Sequence, residues 1–181
     1  MAINFTTVKT ALVSWCSSVV GGAIPVIVYE PNAPRPGSQY VTINVSSIVS
    51  YGQDWSASEA TSLGEIDMKG DRLFTVGVQV YGGDALTLAE DIRTSLQKQT
   101  VLDGLRTNGI AFYQAMTIND ITELVDSRFE ERAQLDIQFG IGQVYVDSPG
   151  FFNQIEVEEV IKNVDSEIIY SDTILISSPT P

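Results

Sequence analysis

Phe74, Val76, Val78 and Val80 alternate with Leu73, Thr75, Gly77, Gln79 and Tyr81. A period of two puts successive side chains on opposite faces of a pleated strand. Arg72 to Tyr81 is therefore the clearest strand in the chain. Gly82-Gly83 ends it, and Asp84 stands ready to cap a helix. In that helix Ala85, Leu88, Ala89, Ile92 and Leu96 form an apolar stripe, while Glu90, Asp91, Arg93, Gln97 and Lys98 take the wet side. The carboxylates precede the basic residues, as the helix dipole prefers.

The remaining segments extend this strand-then-helix theme. Residues 4–20 read as a helix, with Phe5, Val8, Leu12, Trp15 and Val19 on one face, Thr6 or Thr7 as N-cap, and Gly21-Gly22 as the stop. Pro25 to Glu30 reads as a short strand, followed by the turn Pro31-Asn32-Ala33-Pro34-Arg35-Pro36-Gly37. Tyr40 to Val49 alternates, with Val41, Ile43 and Val45 on one side and Thr42 and Asn44 on the other. Residues 50–70 are small, polar and turn-rich, and read as a long loop carrying Trp55. A short helical turn fits Val101 to Arg106, a strand Ile110 to Thr117, and a connector Ile118 to Asp126, in which Ile121, Leu124 and Val125 could form a helical turn. Arg128 to Val146 reads as one long strand that buries Phe129, Ala133, Leu135, Ile137, Phe139 and Ile141, with a bulge or bend at Gly140 and Gly142. After Ser148-Pro149-Gly150 come two acidic strands, Ile155 to Ile161 and Glu167 to Ile176, and a loose tail at 177–181. The expected fold is α+β: a mostly antiparallel sheet with two main helices packed on one face, in a single domain over 1–181.

Composition narrows the chemistry. The 181 residues are 44% hydrophobic, enough for a core, and no run approaches the roughly 18 to 20 apolar residues that span a bilayer. No signal-peptide pattern follows Lys9, so the sequence reads as made and used in a cytoplasm, without a membrane. The chain has no histidine, which removes every histidine-based triad and the commonest zinc ligand. Its single cysteine, Cys16, reads as buried beside Trp15 and forms no intrachain disulfide. The net charge is −13, and the ten basic residues are scattered, so phosphate-neutralising nucleic-acid binding is disfavoured.

The remaining candidates for chemistry are carboxylates: Glu130-Glu131, then Glu156, Glu158 and Glu159, then Asp165, Glu167 and Asp172. Paired carboxylates bind divalent cations or act as acid and base. Metal loops, however, space their oxygens around a glycine turn, and these groups sit on strands, where solvation and protection of sheet edges explain them more simply. Neither Gly82-Gly83-Asp84 nor Gly140-Ile141-Gly142 matches a phosphate or dinucleotide loop. Catalytic residues, metal ligands and cofactors are therefore all assigned as none.

Four landmarks carry a family resemblance. They are Pro34-Arg35-Pro36 with Tyr40-Val41-Thr42-Ile43-Asn44; Val78-Gln79-Val80-Tyr81-Gly82 with Asp84-Ala85; Glu131-Arg132-Ala133-Gln134-Leu135-Asp136-Ile137-Gln138-Phe139; and Ile155-Glu156-Val157. In order and spacing they resemble the tailed-phage neck or tail-terminator family, of the lambda tail-terminator type. The resemblance implies a virion structural protein, assembled in the host cytoplasm, that forms a hexameric ring. Such a ring caps the tail tube, stops its polymerisation and joins it to the head connector. Implied partners are further copies of the chain, the tail tube protein, neck proteins and, in contractile phages, the sheath, with DNA only passing through. Trp55, Asp54, Leu63, Arg35, Phe151 and Phe152 are the candidate interface residues. The rival readings are a tail-tube or head-tail completion subunit, a carboxylate- or metal-dependent enzyme, and a soluble binding module of a non-viral bacterium.

Overall fold

The computed structural model describes residues 3–30, 34–61, 63–125, 127–150, 154–162 and 168–177. Its elements are α1 (Phe5–Val20), β1 (Val26–Val28), β2 (Tyr40–Ser56), β3 (Ile66–Tyr81), α2 (Ala85–Ser95) and α3 (Gln99–Arg106). After these come β4 (Ile110–Asp120), β5 (Glu123–Val125), β6 (Arg128–Glu130), β7 (Arg132–Asp147), β8 (Gln154–Lys162) and β9 (Ile168–Ser177). The architecture is α+β, with a mostly antiparallel five-stranded sheet in the order β1-β2-β3-β7-β4, in which β1 runs parallel to β2 and β4 antiparallel to β7. By compactness the chain divides into two units, 1–55 with 69–145, and 56–68 with 146–181.

In the first unit the core forms where the alternating strands meet the helices. Val41 and Ile43 of β2, Phe74, Val76, Val78 and Val80 of β3, and Ala133, Leu135, Ile137 and Phe139 of β7 are fully buried. They pack against Val8, Leu12, Trp15 and Cys16 of α1, Ala89 and Ile92 of α2, and Leu105 of α3. Burying each of the Val, Leu, Ile and Phe side chains contributes about 1.5–3 kcal/mol. Phe139 is the hub of an aromatic group, stacking on Phe74 at 5.7 Å and meeting Trp15 and Phe112 edge-on at 6.1 and 6.2 Å. The Trp15 indole N–H donates to Ser95 Oγ (3.1 Å), which in turn donates to the Ile92 carbonyl (2.7 Å), so a buried polar chain pins α1 to α2.

The other sheet face is polar. Thr75, Gly77 and Gln79 of β3 and Gln134, Asp136 and Gln138 of β7 are half-buried there, and Gln114 donates to Gln138 at 2.7 Å.

Several expectations are corrected. The N-cap of α1 is Asn4, whose side chain accepts from the amides of Thr6 and Thr7; Gly21, at φ 82°, ends the helix as expected. Residues 99–106 form a full third helix, because Leu105 finds a place in the core. The loop expected at 50–70 is mostly strand: β2 continues to Ser56 and β3 begins at Ile66, leaving only the link between them. Small polar residues look like a loop when no apolar alternation marks them, and β2 runs on with almost every residue exposed from Asn44 to Ser56. β4 runs on to Asp120, and Glu123–Val125 forms β5, where a plain connector was expected.

The long strand expected from Arg128 breaks at Glu131 into β6 and β7, and Phe129 is 78% exposed instead of buried. The bulges lie on β4, between Phe112 and Gln114 and between Ala115 and Ile118, and β7 passes straight through Gly140. In the second unit, β8 and β9 form a separate antiparallel pair. The expected tail lies outside the described residues except for Ser177, which ends β9.

Candidate functional site

Two polar knots hold the first unit at places where the core gives out. The first joins β2, β3 and β7. Arg72 grips Asp54 with both terminal nitrogens, Nη1 to Oδ1 at 2.7 Å and Nη2 to Oδ2 at 2.6 Å, and the Tyr145 hydroxyl donates to Oδ2 at 3.0 Å. A forked guanidinium–carboxylate pair is the geometrically specific kind of ion pair. The hydrogen bonds from Arg72, helped by Tyr145, hold the Asp54 carboxyl below the usual carboxylate range, against the opposing effect of desolvation.

The second knot centres on Arg132, the one charged residue among the buried side chains described. It pairs with Glu130 and Glu123, which flank the β5–β6 hairpin, and lies over the Tyr81 ring at 5.4 Å. Tyr81 stacks on Tyr40 at 4.5 Å, with the rings 6° from parallel. Arg35 adds a 3.6 Å ion pair to Glu130. Desolvation works against the charge on Arg132, but the two glutamates and Tyr81 outweigh it and raise its pKa.

Elsewhere in each unit apolar side chains are left in solvent. On β2, Ile48, Val49, Tyr51 and Trp55 are all exposed, Trp55 at 49%. The β5–β6 hairpin turns through Ser127 in a left-handed conformation (φ 71°) and presents Leu124 directly across from Phe129, both in solvent. An open cleft of about 1060 Å³ lies between this hairpin and the Gln39, Gly83 and Asp84 region. In the second unit, Val157 and Ile174 face each other across β8 and β9, as do Ile161 and Tyr170, and all four are exposed. Exposed apolar groups that share one strand or hairpin are candidates for contact surfaces.

The six candidate interface residues fall into different roles. Trp55 is half-exposed on β2 beside Asp54, but the Asp54 carboxylate is taken up by Arg72 and Tyr145. Arg35 belongs to the Arg132 group. Leu63, in the β2–β3 link, is 77% exposed. Phe151 and Phe152 lie outside the described residues. Sequence reasoning missed Leu124 and Phe129, which strand periodicity assigned to the core or to a connector. Glu123, Glu130 and Arg132 around the β5–β6 hairpin were the signal available for finding them. Among the described residues, no group of three or more Cys, Asp or Glu could hold a metal ion, and no helix is long and apolar enough to cross a membrane. The Cys16 thiol is pushed up to about 12 by burial.

This is a surface of strands, arms and apolar contacts, the equipment of a protein that fits against other proteins. The family model described as phage neck terminator protein matches residues 6–173, and the chain belongs to that family. It is thus a structural component of the phage neck and tail, in a tail-terminator role. Among solved structures the chain is similar to the sheath/tube terminator of PVC, an extracellular contractile injection system, in its extended state. The identity is 11% and the TM-score 0.44, over 91% of this chain and 65% of that one. The chain thus spans 65% of the length of that structural relative. No curated protein matches the sequence.

Proposed function

We propose that the protein assembles into a hexameric ring that caps the completed tail tube, halts its polymerisation and offers a surface to the head connector. The family match over residues 6–173 carries this reading. The exposed apolar residues on β2, on the β5–β6 hairpin and on the β8–β9 pair are consistent with it. A ring is built from heterologous interfaces, in which one patch meets a different patch on the next subunit. Trp55 and Leu63 are the interface residues, with Arg35 bracing the β5–β6 hairpin through Glu130 and Asp54 bracing the strand that carries Trp55. The partners are the tail tube and neck proteins, and the sheath where the tail contracts. DNA passes through without specific binding, in keeping with a net charge of −13. No catalytic step enters.

The test is electron microscopy of lysates from a phage lacking this gene. Overlong tails, or filled heads and tails left unjoined, are expected. Normal infectious particles would overturn the proposal. Long stacked tubes from the purified chain would point to a tail-tube subunit instead.

A further inference from the structure

Two of the open strand edges among the described residues carry few of the charges that normally guard such edges. β4 ends the five-stranded sheet, so one side of its backbone has no partner strand among those described. From Ile110 to Asn119 it carries no Lys, Arg, Asp, Glu or Pro, and Tyr113 (56%) and Met116 (40%) are exposed on it. Natural edge strands are blunted by charge, by proline or by bulges, because an open row of amides and carbonyls recruits another strand. β4 keeps only its two bulges, which add twist without removing the hydrogen-bonding groups.

The β8–β9 pair is the complement. A lone two-stranded hairpin is marginal in water, and this one is lopsided in charge. Glu156, Glu158, Glu159 and Lys162 all lie on β8, whereas β9 from Ile168 to Ser177 holds only Asp172. Asp172 is already engaged, since it accepts from the Thr173 amide at 2.8 Å and from the Tyr170 hydroxyl at 3.1 Å. One strand of the hairpin is thus dressed for water and the other is not. β9 spans 10 residues and β4 spans 11.

We infer that the free edge of β9 in one copy adds to the free edge of β4 in the next, so that each subunit's sheet continues into its neighbour's hairpin. Charge selects the pairing. Two copies of a chain with a net charge of −13 repel each other least where weakly charged strips meet, and these two edges, with Asp172 and the terminal Asp120 as their only charges, are such strips of similar length. β8 is left facing water with its glutamates. Because the two edges are different surfaces, each copy has one of each to offer and the contact propagates from subunit to subunit, as ring closure requires.

The inference rests on the ring proposed above, and the test separates the two. Cysteines are placed in the full chain at Tyr113 or Thr117 on β4, each combined with one at Ser171 or Thr173 on β9. Each variant is oxidised in assembled particles and run on a non-reducing gel. A ladder of covalent multimers is expected from at least one combination, and none from Tyr113→Cys combined with Glu158→Cys on β8. An amine-reactive cross-linker on the wild type reports the ring independently. Amine-linked multimers without any β4–β9 ladder would overturn this pairing and leave the ring standing. So would a ladder from β8 alone, or a disulfide to a different protein. Absence of both the amine-linked multimers and the ladder would overturn both.

Discussion

A Cβ atom added to Gly70 would lie 2.0 Å from Asp54 Oδ1 and 2.5 Å from Arg72 Nη1. The forked pair that ties β2 to β3 therefore occupies the space a side chain at position 70 would fill. Gly70→Ala must displace one member of the pair. The expected result is a Tm lower by about 2–4 °C, the scale of one lost interaction in a chain of this size, with little further loss when Asp54→Ala is added. Thermal melts of the single and double variants measure this.

Acid should find the same pair. Hydrogen bonding from Arg72 lowers the pKa of Asp54 in the folded chain. A carboxyl whose pKa is lowered by folding stabilises the fold above its unfolded pKa, and that contribution disappears as pH falls through the folded value. The difference in Tm between wild type and Asp54→Asn is expected to be largest at neutral pH and to narrow below the ordinary carboxylate range. A difference that stays constant across this window would remove Asp54 as the cause.

Ser95→Ala leaves the buried Trp15 indole N–H without its acceptor. The expected cost is about 1–3 kcal/mol, the penalty for one unsatisfied buried donor. In a double-mutant cycle by chemical denaturation, Trp15→Phe combined with Ser95→Ala should cost clearly less than the two single changes summed. Additive costs would mean the two groups do not interact.

Cys16, buried in α1 with its thiol pushed up to about 12, is expected to resist alkylation in the native protein at pH 8 and to label fully in denaturant. Labelling at equal rates in both states would contradict its burial.

Trp55→Ala is expected to leave the Tm within about 2 °C of wild type, since the ring is half in solvent, while lowering the yield of joined particles severalfold. Phe129→Ser should behave in the same way. Unchanged assembly with both would remove these residues from the contact surface.

The core was readable because alternation and helical stripes report burial directly. Phe74 to Val80, Ala133 to Phe139 and the Val8, Leu12, Trp15 face all lie where periodicity puts them. The arm around Asp54 was not readable. Its stabilising contacts join residues far apart in sequence, and Asp54 looks like any loop aspartate until Arg72 and Tyr145 are brought to it. Phe129 misled for the opposite reason: it continues the periodicity of β7, and only the break at Glu131 sends it into solvent. Trp55 and Leu63 were legible as exposed.

The sheet order also governs timing. β4 is synthesised before β7, yet β7 lies between β3 and β4 and is the strand that joins them. Until residues 132–147 have left the ribosome, β3 and β4 cannot be joined, and each keeps an edge that β7 will later cover. A nascent chain on a polysome is thereby open to mispairing with its neighbours until the last third of its sequence emerges.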